Sequence, residues 1–403
     1  MKTAIIGGGA AGIFSAIISK SNAPDSDVIV FEKSPNLLSK VKISGGGRCN
    51  VTHACFSPAQ LSKNYPRGGK FLKKAFAGFS TVDTIKWFES RGVKLKTEDD
   101  GRMFPVTDNS QTIIDCLLDE AQKLGVVIKL RSPVYNISKK ENGFELQSKS
   151  GEKQTFDKLI VACGGFNKKI KYAWIENLTH NIIDPIPSLF TFNLPKNSIC
   201  ELAGVVASNA SVHIQTTKLK SQGPLLITHW GMSGPAVLKL SAFGARILNE
   251  MNYNYIVQIN WLTSNNELLQ VELLNVRNLH GRKKIKNYCP FDLPKRLWHY
   301  ILTKCGINED TAWDQISAKH QQKLIHTLLN DEYQAVGKTT FKEEFVTAGG
   351  VDLKEVDVKS MQSKLVPGLF FAGEVLDIDG VTGGFNFQSA WTTGYLAGSA
   401  QLS

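Results

Sequence analysis

Residues 1–32 combine two different spacings of apolar positions. Residues 2–6 and the run Val28-Ile29-Val30-Phe31 are mostly apolar and β-compatible, as in buried strands. Between these runs, Ile13, Ala16 and Ile17 have the spacing of one helix face. The pattern therefore predicts a strand, a glycine turn, a helix and a second strand, which together form the βαβ unit of a parallel sheet.

Further elements follow from the same periodicities. Helices are predicted at Thr81–Glu89 and Thr112–Leu124, and a buried strand at Leu159–Ala162 that Gly164 and Gly165 end. After about residue 188 the pattern changes. Three strands come first, at Leu189–Leu194, Ser211–Gln215 and Tyr255–Trp261. Three helices follow, at Glu267–Asn278, Leu293–Lys304 and Ala312–Leu329.

Strands followed by helices differ from a βαβ order and indicate a separate, inserted module. Near Val346 the glycine-rich pattern of the first segment returns. We therefore predict an α/β domain built from residues 1–189 and 346–403, interrupted by a β-plus-α domain at 190–345. The chain length of 403 residues agrees, because one compact core usually serves a shorter chain.

Cysteine usage and hydropathy indicate the compartment. The seven cysteines are scattered and form no Cys-x-x-Cys pair, so neither a disulfide framework nor a metal site is expected. Reduced thiols suit the cytoplasm. The apolar run at residues 4–14 is too short to span a bilayer, and its glycines would weaken a secretion-signal helix. We expect a cytoplasmic protein with no membrane partner.

The formal net charge of +11 points to acidic partners such as nucleotide phosphates, nucleic acid or an anionic substrate. Two basic clusters stand out. The first contains Lys63, Arg67, Lys70, Lys73 and Lys74, and the second contains Arg282, Lys283, Lys284 and Lys286. Runs of like charge are more often solvated surface than a dedicated binding patch, and the sequence leaves both interpretations open.

The glycine turn after the first strand matches the dinucleotide fingerprint Gly7-x-Gly9-x-x-Gly12. Gly7 would permit the tight turn, Gly9 would let a pyrophosphate approach the backbone, and Gly12 would let helix and strand pack closely. The helix N-terminus would then offer free N–H groups to the phosphates. Glu32, at the end of the next strand, would accept hydrogen bonds from both ribose hydroxyls and repel the 2′-phosphate of NADP.

The fingerprint alone does not distinguish NAD from FAD, but three later stretches favour FAD. Ile43–Asn50 is a second glycine-rich loop, whose N–H groups can surround a phosphate or the polar edge of a flavin. Leu159–Gly165 is a strand whose glycines would let the chain pass close under the nucleotide. Gly368–Glu374 and Gly383–Asn386 form a late strand and a glycine-led helix, where flavoproteins of the two-dinucleotide-binding superfamily place the flavin.

Six strings of residues carry a resemblance over essentially the whole chain: "IIGGGAAG", "ISGGGRCNVTH", "GRMFPVTD", "THWGMSGPAVL", "TAGGV" and "AGEVLDIDGVTGGFNFQSAW". Together they resemble the BaiN/YhiN-like NAD(P)/FAD-dependent oxidoreductases, whose relatives are also described as aminoacetone-oxidase-family FAD-binding proteins. The resemblance implies an FAD-binding Rossmann-like domain of the two-dinucleotide-binding type, formed by the first and last segments. Relatives usually have a glycine and a basic residue before the lysine equivalent to Lys40, where this chain has Leu38 and Ser39.

The fingerprint, the glycine loops and the resemblance together predict a set of FAD contacts. The set is Gly7, Gly9, Ala10, Ala11, Gly12, Glu32, Lys33, Lys40, Ser44, Gly45, Gly46, Gly47, Arg48, Asn50, Val134, Gly164, Gly373, Glu374, Gly384, Phe385 and Asn386. Of these, Ala11, Lys40 and Val134 follow from the resemblance alone. For Arg48, a guanidinium contact with the cofactor and an internal salt bridge are equally open.

Catalytic candidates are Cys49, His229 and Trp230, each with a structural alternative. Cys49 would be a redox thiol beside the flavin or, as we favour, a small residue that fills a tight loop. His229 would donate a proton and Trp230 would stack on a flat substrate. Alternatively, His229 caps the following helix and Trp230 fills the domain interface. Arg102 and Phe104 leave the same choice open.

We expect an FAD-dependent oxidoreductase that receives electrons from NAD(P)H and passes them to a small organic substrate bound between the FAD domain and the insert. The chain has one dinucleotide fingerprint, so the nicotinamide would dock transiently. A flavoprotein that acts on or binds nucleic acid, as RNA-modifying flavoenzymes do, is an alternative. A structural FAD-bound scaffold is another. The substrate, the proton donor and the oligomeric state stay open.

Overall fold

The computed structural model describes residues 1–148, 151–339 and 346–401. These residues form two compact units. The first unit contains the residues up to Ser188 and those from Val346 onward, and the second begins at Leu189 and ends at Thr339. The predicted boundary at 189/190 differs from this division by one residue. The other predicted boundary, at 345/346, borders residues 340–345, which lie outside the described residues.

The strands of the described residues are numbered in chain order. They are β1 (Lys2–Ile6), β2 (Asp27–Phe31), β3 (Thr52–His53), β4 (Leu95–Thr97), β5 (Arg102–Pro105), β6 (Val127–Lys129), β7 (Val134–Lys140), β8 (Gly143–Ser148), β9 (Lys153–Phe156), β10 (Lys158–Val161), β11 (Ile182–Ser188), β12 (Thr191–Asn193), β13 (Val206–Ile214), β14 (Lys220–Thr228), β15 (Gly231–Ser233), β16 (Asn254–Asn260), β17 (Asp331–Val336), β18 (Lys338–Thr339), β19 (Val346–Val351) and β20 (Leu369–Phe371).

The helices are numbered in the same way. They are α1 (Ala10–Asn22), α2 (Ser39–Gly47), α3 (Pro58–Leu61), α4 (Gly69–Ala75), α5 (Thr81–Glu89), α6 (Ser110–Lys123), α7 (Ala173–Glu176), α8 (Pro235–Glu250), α9 (Asn266–His280), α10 (Lys295–Cys305), α11 (Ala318–Leu329) and α12 (Phe385–Ser399).

The first unit is built on a five-stranded parallel sheet with the order β20-β10-β1-β2-β6. The predicted βαβ unit is confirmed, with β1 at the centre of the sheet. Ala4 and Ile5 of β1 are fully buried, as the continuous apolar run predicted. Helices α1 and α12 pack closely at Gly394, which has no side chain. A Cβ atom there would lie 2.9 Å from the Ala11 carbonyl oxygen.

Helix bounds in the first unit follow the capping residues. Helix α5 has the predicted bounds, and a capping box between Ser80 and Asp83 fixes its start. Helix α6 begins two residues before the predicted start. The Asn109 side chain accepts a hydrogen bond from the Gln111 N–H and so starts the helix at Ser110.

The second unit has a seven-stranded antiparallel sheet with the order β17-β16-β13-β14-β15-β12-β18. Its hydrophobic core includes the buried side chains of Trp261, Trp298 and Trp313. The predicted order of strands first and helices afterwards is wrong. Helix α8 separates β15 from β16, and β17 follows α11 with alternating buried and exposed residues.

The predicted helix at Ala312–Leu329 is also too long. Its first part is a short 3₁₀ segment at Trp313–Gln315, and α11 begins at Ala318. The Ser317 hydroxyl caps α11 by accepting a hydrogen bond from the His320 N–H. Ile316 and Ser317 have extended backbone, so they separate the 3₁₀ segment from α11, although the apolar spacing predicted one continuous helix.

None of the helices in the described residues is both long and apolar enough to cross a membrane.

A buried lysine holds the end of α12 against the parallel sheet. Lys158 of β10 is 1% exposed, and its Nζ donates to the carbonyl oxygens of Ala397 and Ala400 at 2.8 and 2.6 Å. Ala397 lies in the last turn of α12 and Ala400 is its C-cap, so both carbonyls lie where a cation is favourable. Burial lowers the pKa of the Lys158 ammonium to about 8. The native state therefore releases this proton more readily than the unfolded chain does.

We predict that this release stabilises the protein as the pH rises. Between pH 8 and the ordinary pKa of 10.5, the unfolded chain binds the proton and the native state does not, so the free energy of unfolding increases. The gain relative to a Lys158→Met variant should reach about 3 kcal/mol. Denaturant unfolding of both proteins across this pH range measures it. A difference that stays constant with pH would contradict the prediction.

Candidate functional site at the carboxyl edge of the parallel sheet

Four loops with predicted site residues leave the same edge of the parallel sheet. Gly7 follows β1, Glu32 follows β2, Gly164 follows β10 and Gly373 follows β20. These strands are neighbours and run in the same direction, so their carboxyl ends meet. Ligands of open α/β sheets bind at this edge, where the strand order changes direction.

The fingerprint glycines have the geometry that the motif requires. Gly7 has a φ of +113°, and a Cβ atom there would lie 2.4 Å from the Ala162 carbonyl oxygen. A Cβ atom on Gly12 would lie 1.9 Å from the Gly7 carbonyl oxygen. By contrast, a Cβ atom on Gly9 would meet nothing within 4 Å. Gly7 and Gly12 are therefore required by packing, whereas Gly9 faces open space.

Helix α1 starts at this turn without a side-chain cap. Its N-cap is Gly9, and among the described residues no side chain caps the first N–H groups, which include that of Ala10. A helix N-terminus with free N–H groups and the positive end of the helix dipole is a suitable site for a diphosphate. The structure therefore fits the phosphate contacts predicted for this turn.

The carboxylate of Glu32 is fixed at the end of β2. Its Oε2 accepts from the Gly8 N–H at 2.7 Å, and its Oε1 accepts from the Ser34 N–H at 2.8 Å. Each carboxylate oxygen has a second lone pair, so Glu32 can still accept hydrogen bonds from ribose hydroxyls. The structure thus places the acid beside the fingerprint turn, as predicted.

Lys40 and Glu374 form an ion pair at the same edge. The other Glu374 oxygen, Oε1, accepts from the Thr347 N–H at 2.9 Å. Close to this pair, a Cβ atom on Gly373 would lie 2.8 Å from the Ala11 Cβ. The structure therefore brings together the start of α1, Lys40 and the loop after β20. These predicted contact residues come from three segments that are far apart in the sequence.

Leu38 marks the departure from the usual family pattern. It is one of the two residues before Lys40 that depart from the resembled pattern, and it adopts a φ of +52°, a conformation that favours glycine. Its side chain is buried, and its N–H donates to the Gly8 carbonyl oxygen at 2.9 Å. Burial and this hydrogen bond hold the strained residue, so the segment before Lys40 stays attached to the fingerprint turn.

The second glycine-rich loop is the distorted end of α2. Ser44 leaves helical geometry, with a ψ of 147°, and Gly45 and Gly46 are left-handed, with φ of 58° and 69°. Cβ atoms on Gly46 and Gly47 would meet nothing within 4 Å. Successive N–H groups in such a turn form a concave site for anions or electronegative atoms.

Asn50 joins this loop to the start of α12. With its amide oriented to satisfy both groups, the side chain donates to the Thr52 carbonyl oxygen at 2.9 Å and accepts from the Gly384 N–H at 3.0 Å. Gly384 is the N-cap of α12, and no side chain caps the helix there. The Asn386 amide in turn holds Gly380, accepting from its N–H at 2.8 Å and donating to its carbonyl oxygen at 2.9 Å.

Arg48 is paired within the protein. Its Nη1 lies 2.6 Å from Glu98 Oε1, and its guanidinium carbon lies 4.0 Å above the Phe104 ring. Arg102 binds the same carboxylate at 2.8 Å. The structure therefore supports the internal salt bridge that sequence analysis left open, and a contact between Arg48 and the cofactor stays a prediction.

Cys49 is completely buried and has a φ of 62°. Burial raises the pKa of its thiol to about 12, so the thiol is protonated at neutral pH. Thiol–disulfide exchange needs the thiolate. The structure therefore supports the packing role for Cys49.

Lys33 and Val134 are two further residues of the predicted FAD contact set. Lys33 Nζ lies 5.5 Å from the centre of the Phe166 ring. Val134 is the first residue of β7 and lines a cavity of about 440 Å³ next to Phe31 and Arg131. Their contacts with a cofactor stay predictions.

His229 and Trp230 lie in the second unit, in the turn between β14 and β15, and both are exposed. The suggestion that His229 caps the following helix is wrong, because the N-cap of α8 is Gly234 and no side chain caps it. The catalytic roles considered for both residues stay predictions.

His53 was not predicted from the sequence, and it lies where three of the strings that carry the family resemblance meet. Its Nδ1 is 3.0 Å from the Gly383 carbonyl oxygen, and its ring stacks on Phe385 at 4.5 Å. A Cβ atom on Gly101 would lie 2.6 Å from its Nε2. The signal was present, since His53 ends the string "ISGGGRCNVTH", but only the pairing of β3 with β5 brings it to Gly101.

Comparison with known proteins agrees with this geometry. The model of the family described as "HI0933-like protein Rossmann domain" matches residues 1–400. The chain is 34% identical to the ribosomal RNA dihydrouridine synthase of Escherichia coli K12, over 97% of this chain and 95% of the relative. It is 27% identical to the 3-dehydro-bile acid delta(4,6)-reductase of Clostridium scindens, over 98% of both chains.

The fold is similar to that of the 3-ketosteroid-delta4-(5alpha)-dehydrogenase of Rhodococcus jostii RHA1 in complex with 4-androstene-3,17-dione. The TM-score is 0.52 at 11% identity, and the match covers 98% of this chain and 95% of the dehydrogenase. This similarity shows the fold alone. With the family match, it establishes a mixed α/β protein with a Rossmann-like FAD-binding domain. The chain therefore belongs to the HI0933-like Rossmann family, the FAD-binding oxidoreductases of BaiN/YhiN type.

Proposed function

We propose that this protein is an FAD-dependent reductase that converts a uridine of ribosomal RNA to dihydrouridine, with NADH or NADPH as the source of electrons. The observation that carries the proposal is the 34% identity, over nearly the full length of both chains, to a ribosomal RNA dihydrouridine synthase. From the sequence, a small organic substrate was the first expectation. This similarity moves the RNA substrate ahead of it.

The two named relatives point to one kind of chemistry. Dihydrouridine is uridine with a saturated C5–C6 bond, and the bile acid reductase is named for double bonds at positions 4 and 6. In both substrates the double bond is conjugated with a carbonyl group. Reduction adds a hydride to the carbon far from the carbonyl, which is C6 in uridine, and a proton to the near carbon, C5.

The described residues fit FAD. The free N–H groups of α1 and the open space at Gly9 suit the diphosphate, and Glu32 suits the ribose. The uncapped N-terminus of α12 and the turn at 44–47 suit the polar edge of a flavin, which becomes more electron-rich on reduction. FAD supplies the hydride chemistry when it is bound, and these groups orient it.

The proton for C5 needs a side chain on the protein. We propose His53 for this role, because it is a titratable residue held against the first turn of α12. Its Nδ1 donates to the Gly383 carbonyl oxygen, which fixes the ring and leaves Nε2 as the atom that exchanges a proton. A side chain on Gly101 would collide with Nε2, so the glycine lets the His53 ring lie directly against the backbone before β5.

The relation to the bile acid reductase supports a second candidate, the reduction of a double bond in a small conjugated ketone. The same site chemistry would serve it. The two candidates differ in whether a polyanionic substrate is required.

We predict that the purified protein, supplied with NADPH or NADH, adds two hydrogens to a uridine of ribosomal RNA from cells that lack it. Mass spectrometry of nuclease fragments detects the mass gain and its position. Anaerobic bleaching of the flavin by each nicotinamide identifies the donor. Reduction of a 3-oxo-Δ4 steroid acid without any change in the RNA would favour the second candidate and contradict the first.

A Gly9→Val substitution tests the cofactor site. Gly9 has a φ of −85°, which any residue adopts, and its Cβ position faces open space, so the apoprotein should unfold at the wild-type temperature. The added side chain occupies the space assigned to the diphosphate, so FAD affinity should fall by about tenfold or more. Fluorescence titration with FAD measures the affinity. Wild-type affinity in Gly9→Val would contradict the assignment.

A comparison of two histidine variants tests the proton donor. His53→Gln should slow dihydrouridine formation by about 100-fold or more but leave flavin bleaching by the nicotinamide unchanged, because bleaching needs no proton on the base. Glutamine can still donate to Gly383, so the turn stays in place. His229→Gln tests the other proton donor considered from the sequence, and it should change neither rate if His53 is the donor. The assignment would be overturned if His229→Gln slowed dihydrouridine formation more than His53→Gln does. It would also be overturned if His53→Gln slowed flavin bleaching as much as dihydrouridine formation.

A further inference from the structure

We propose that four exposed lysines beside the start of α12 bind the phosphate backbone of the RNA substrate. They are Lys63, Lys70, Lys73 and Lys74, and we call them the lysine ridge. This inference rests on the proposed function, and it assigns that function a surface which neither the family match nor the cofactor site provides.

Helical spacing places the ridge on one side of α4. Lys70, Lys73 and Lys74 are three and four residues apart and all are exposed, while Leu72 and Ala75 are buried. Lys63 is exposed in the short 3₁₀ segment Ser62–Asn64 that precedes α4. In the part of the chain that the structure describes, none of the four lysines forms an ion pair or a side-chain hydrogen bond. Their charges are therefore available to a polyanion.

The fifth basic residue of this cluster has a different role. Arg67 is 11% exposed at its side chain and forms an ion pair with the fully buried Asp379. Ser188 donates to the same carboxylate at 2.6 Å. Arg67 is thus a structural residue that attaches the segment of the ridge to the loop before α12.

Two more hydrogen bonds fix the ridge relative to the cofactor site. The Val381 N–H donates to the Asn64 carbonyl oxygen at 2.9 Å, and the buried Tyr65 hydroxyl donates to the Phe385 carbonyl oxygen at 2.7 Å. A Cβ atom on Gly68 would lie 2.6 Å from Ile378 Cγ1, so the two segments are in close contact. The ridge is therefore held next to the turn 383–386, at which the base has to be presented.

The second basic cluster differs in its partners. Lys284 and Lys286 lie 2.8 and 2.9 Å from Asp310 Oδ1, and Lys283 lies 4.6 Å from the centre of the Tyr288 ring. Asp310 offsets part of the positive charge, and the pKa of its carboxyl falls to about 2 because of the two lysines. The second cluster contains four cations, as many as the lysine ridge, and therefore serves as a matched control.

Phosphate contacts have a measurable signature. Each one releases condensed counterions, so the affinity falls with salt, with a slope of about 0.7 to 0.9 per contact. Removal of four contacts should reduce the slope by about 3 and weaken binding roughly 100-fold at moderate salt.

The test compares the wild type with K63Q/K70Q/K73Q/K74Q and with the control R282Q/K283Q/K284Q/K286Q. Binding of deproteinised ribosomal RNA is measured at several salt concentrations. FAD content, flavin bleaching by the nicotinamide and unfolding temperature are measured on the same samples. We expect the ridge variant alone to lose RNA affinity and salt slope, with FAD content, bleaching and unfolding temperature unchanged. The single variants Lys70→Gln and Lys73→Gln should each show a part of the loss.

Other outcomes separate this inference from the proposed function. Dihydrouridine formation by the ridge variant with wild-type RNA affinity would overturn the ridge and leave the function standing. Ridge-dependent RNA binding by a wild type that reduces no uridine would keep the surface and overturn the function. A wild type that binds anionic lipid vesicles through the ridge but does not bind ribosomal RNA would overturn the inference.

Discussion

The close approach of α1 to the parallel sheet is the constraint on which the rest of the first unit depends. A single Cβ atom on Gly12 would come within 1.9 Å of the Gly7 carbonyl oxygen, and one on Gly7 would come within 2.4 Å of the Ala162 carbonyl oxygen. Because these residues have no side chains, α1 starts directly at the carboxyl edge of the sheet. Gly394 and Gly398, in the second half of α12, also lack side chains and let that helix pack against α1 near Ala11 and Ser15.

Much of the secondary structure of the first unit could be predicted because the residues that determine it are close together in the sequence. The strand, glycine turn, helix and acid of residues 2–32 follow one another in the sequence, and α5 has the predicted bounds. Pairing between distant residues could not be predicted. The ion pairs of Arg48 with Glu98 and of Arg67 with Asp379 form only in the tertiary fold. Nothing near either arginine in the sequence indicates its partner. His53 was missed for the same reason.

The second unit was predicted less well, and the reason is physical. Its strands are antiparallel, so a short turn suffices between them and the order of elements is free to vary. Helix α8 therefore stands between strands, and β17 returns to the sheet edge beside β16 after three helices. The apolar spacing alone showed the type of most elements but not that strands follow the helices and return to the sheet.

The position of Glu32 is fixed, and this would affect the binding of the adenosine half of FAD proposed for this residue. Both carboxylate oxygens are already oriented by the N–H groups of Gly8 and Ser34. A ribose bound at Glu32 as proposed would meet an acceptor whose rotamer is set before the ligand arrives, so little side-chain entropy would be lost on association. The nucleotide end of the cofactor should dock on a preorganised template, so that selectivity at this end comes from shape and charge rather than from rearrangement of the protein.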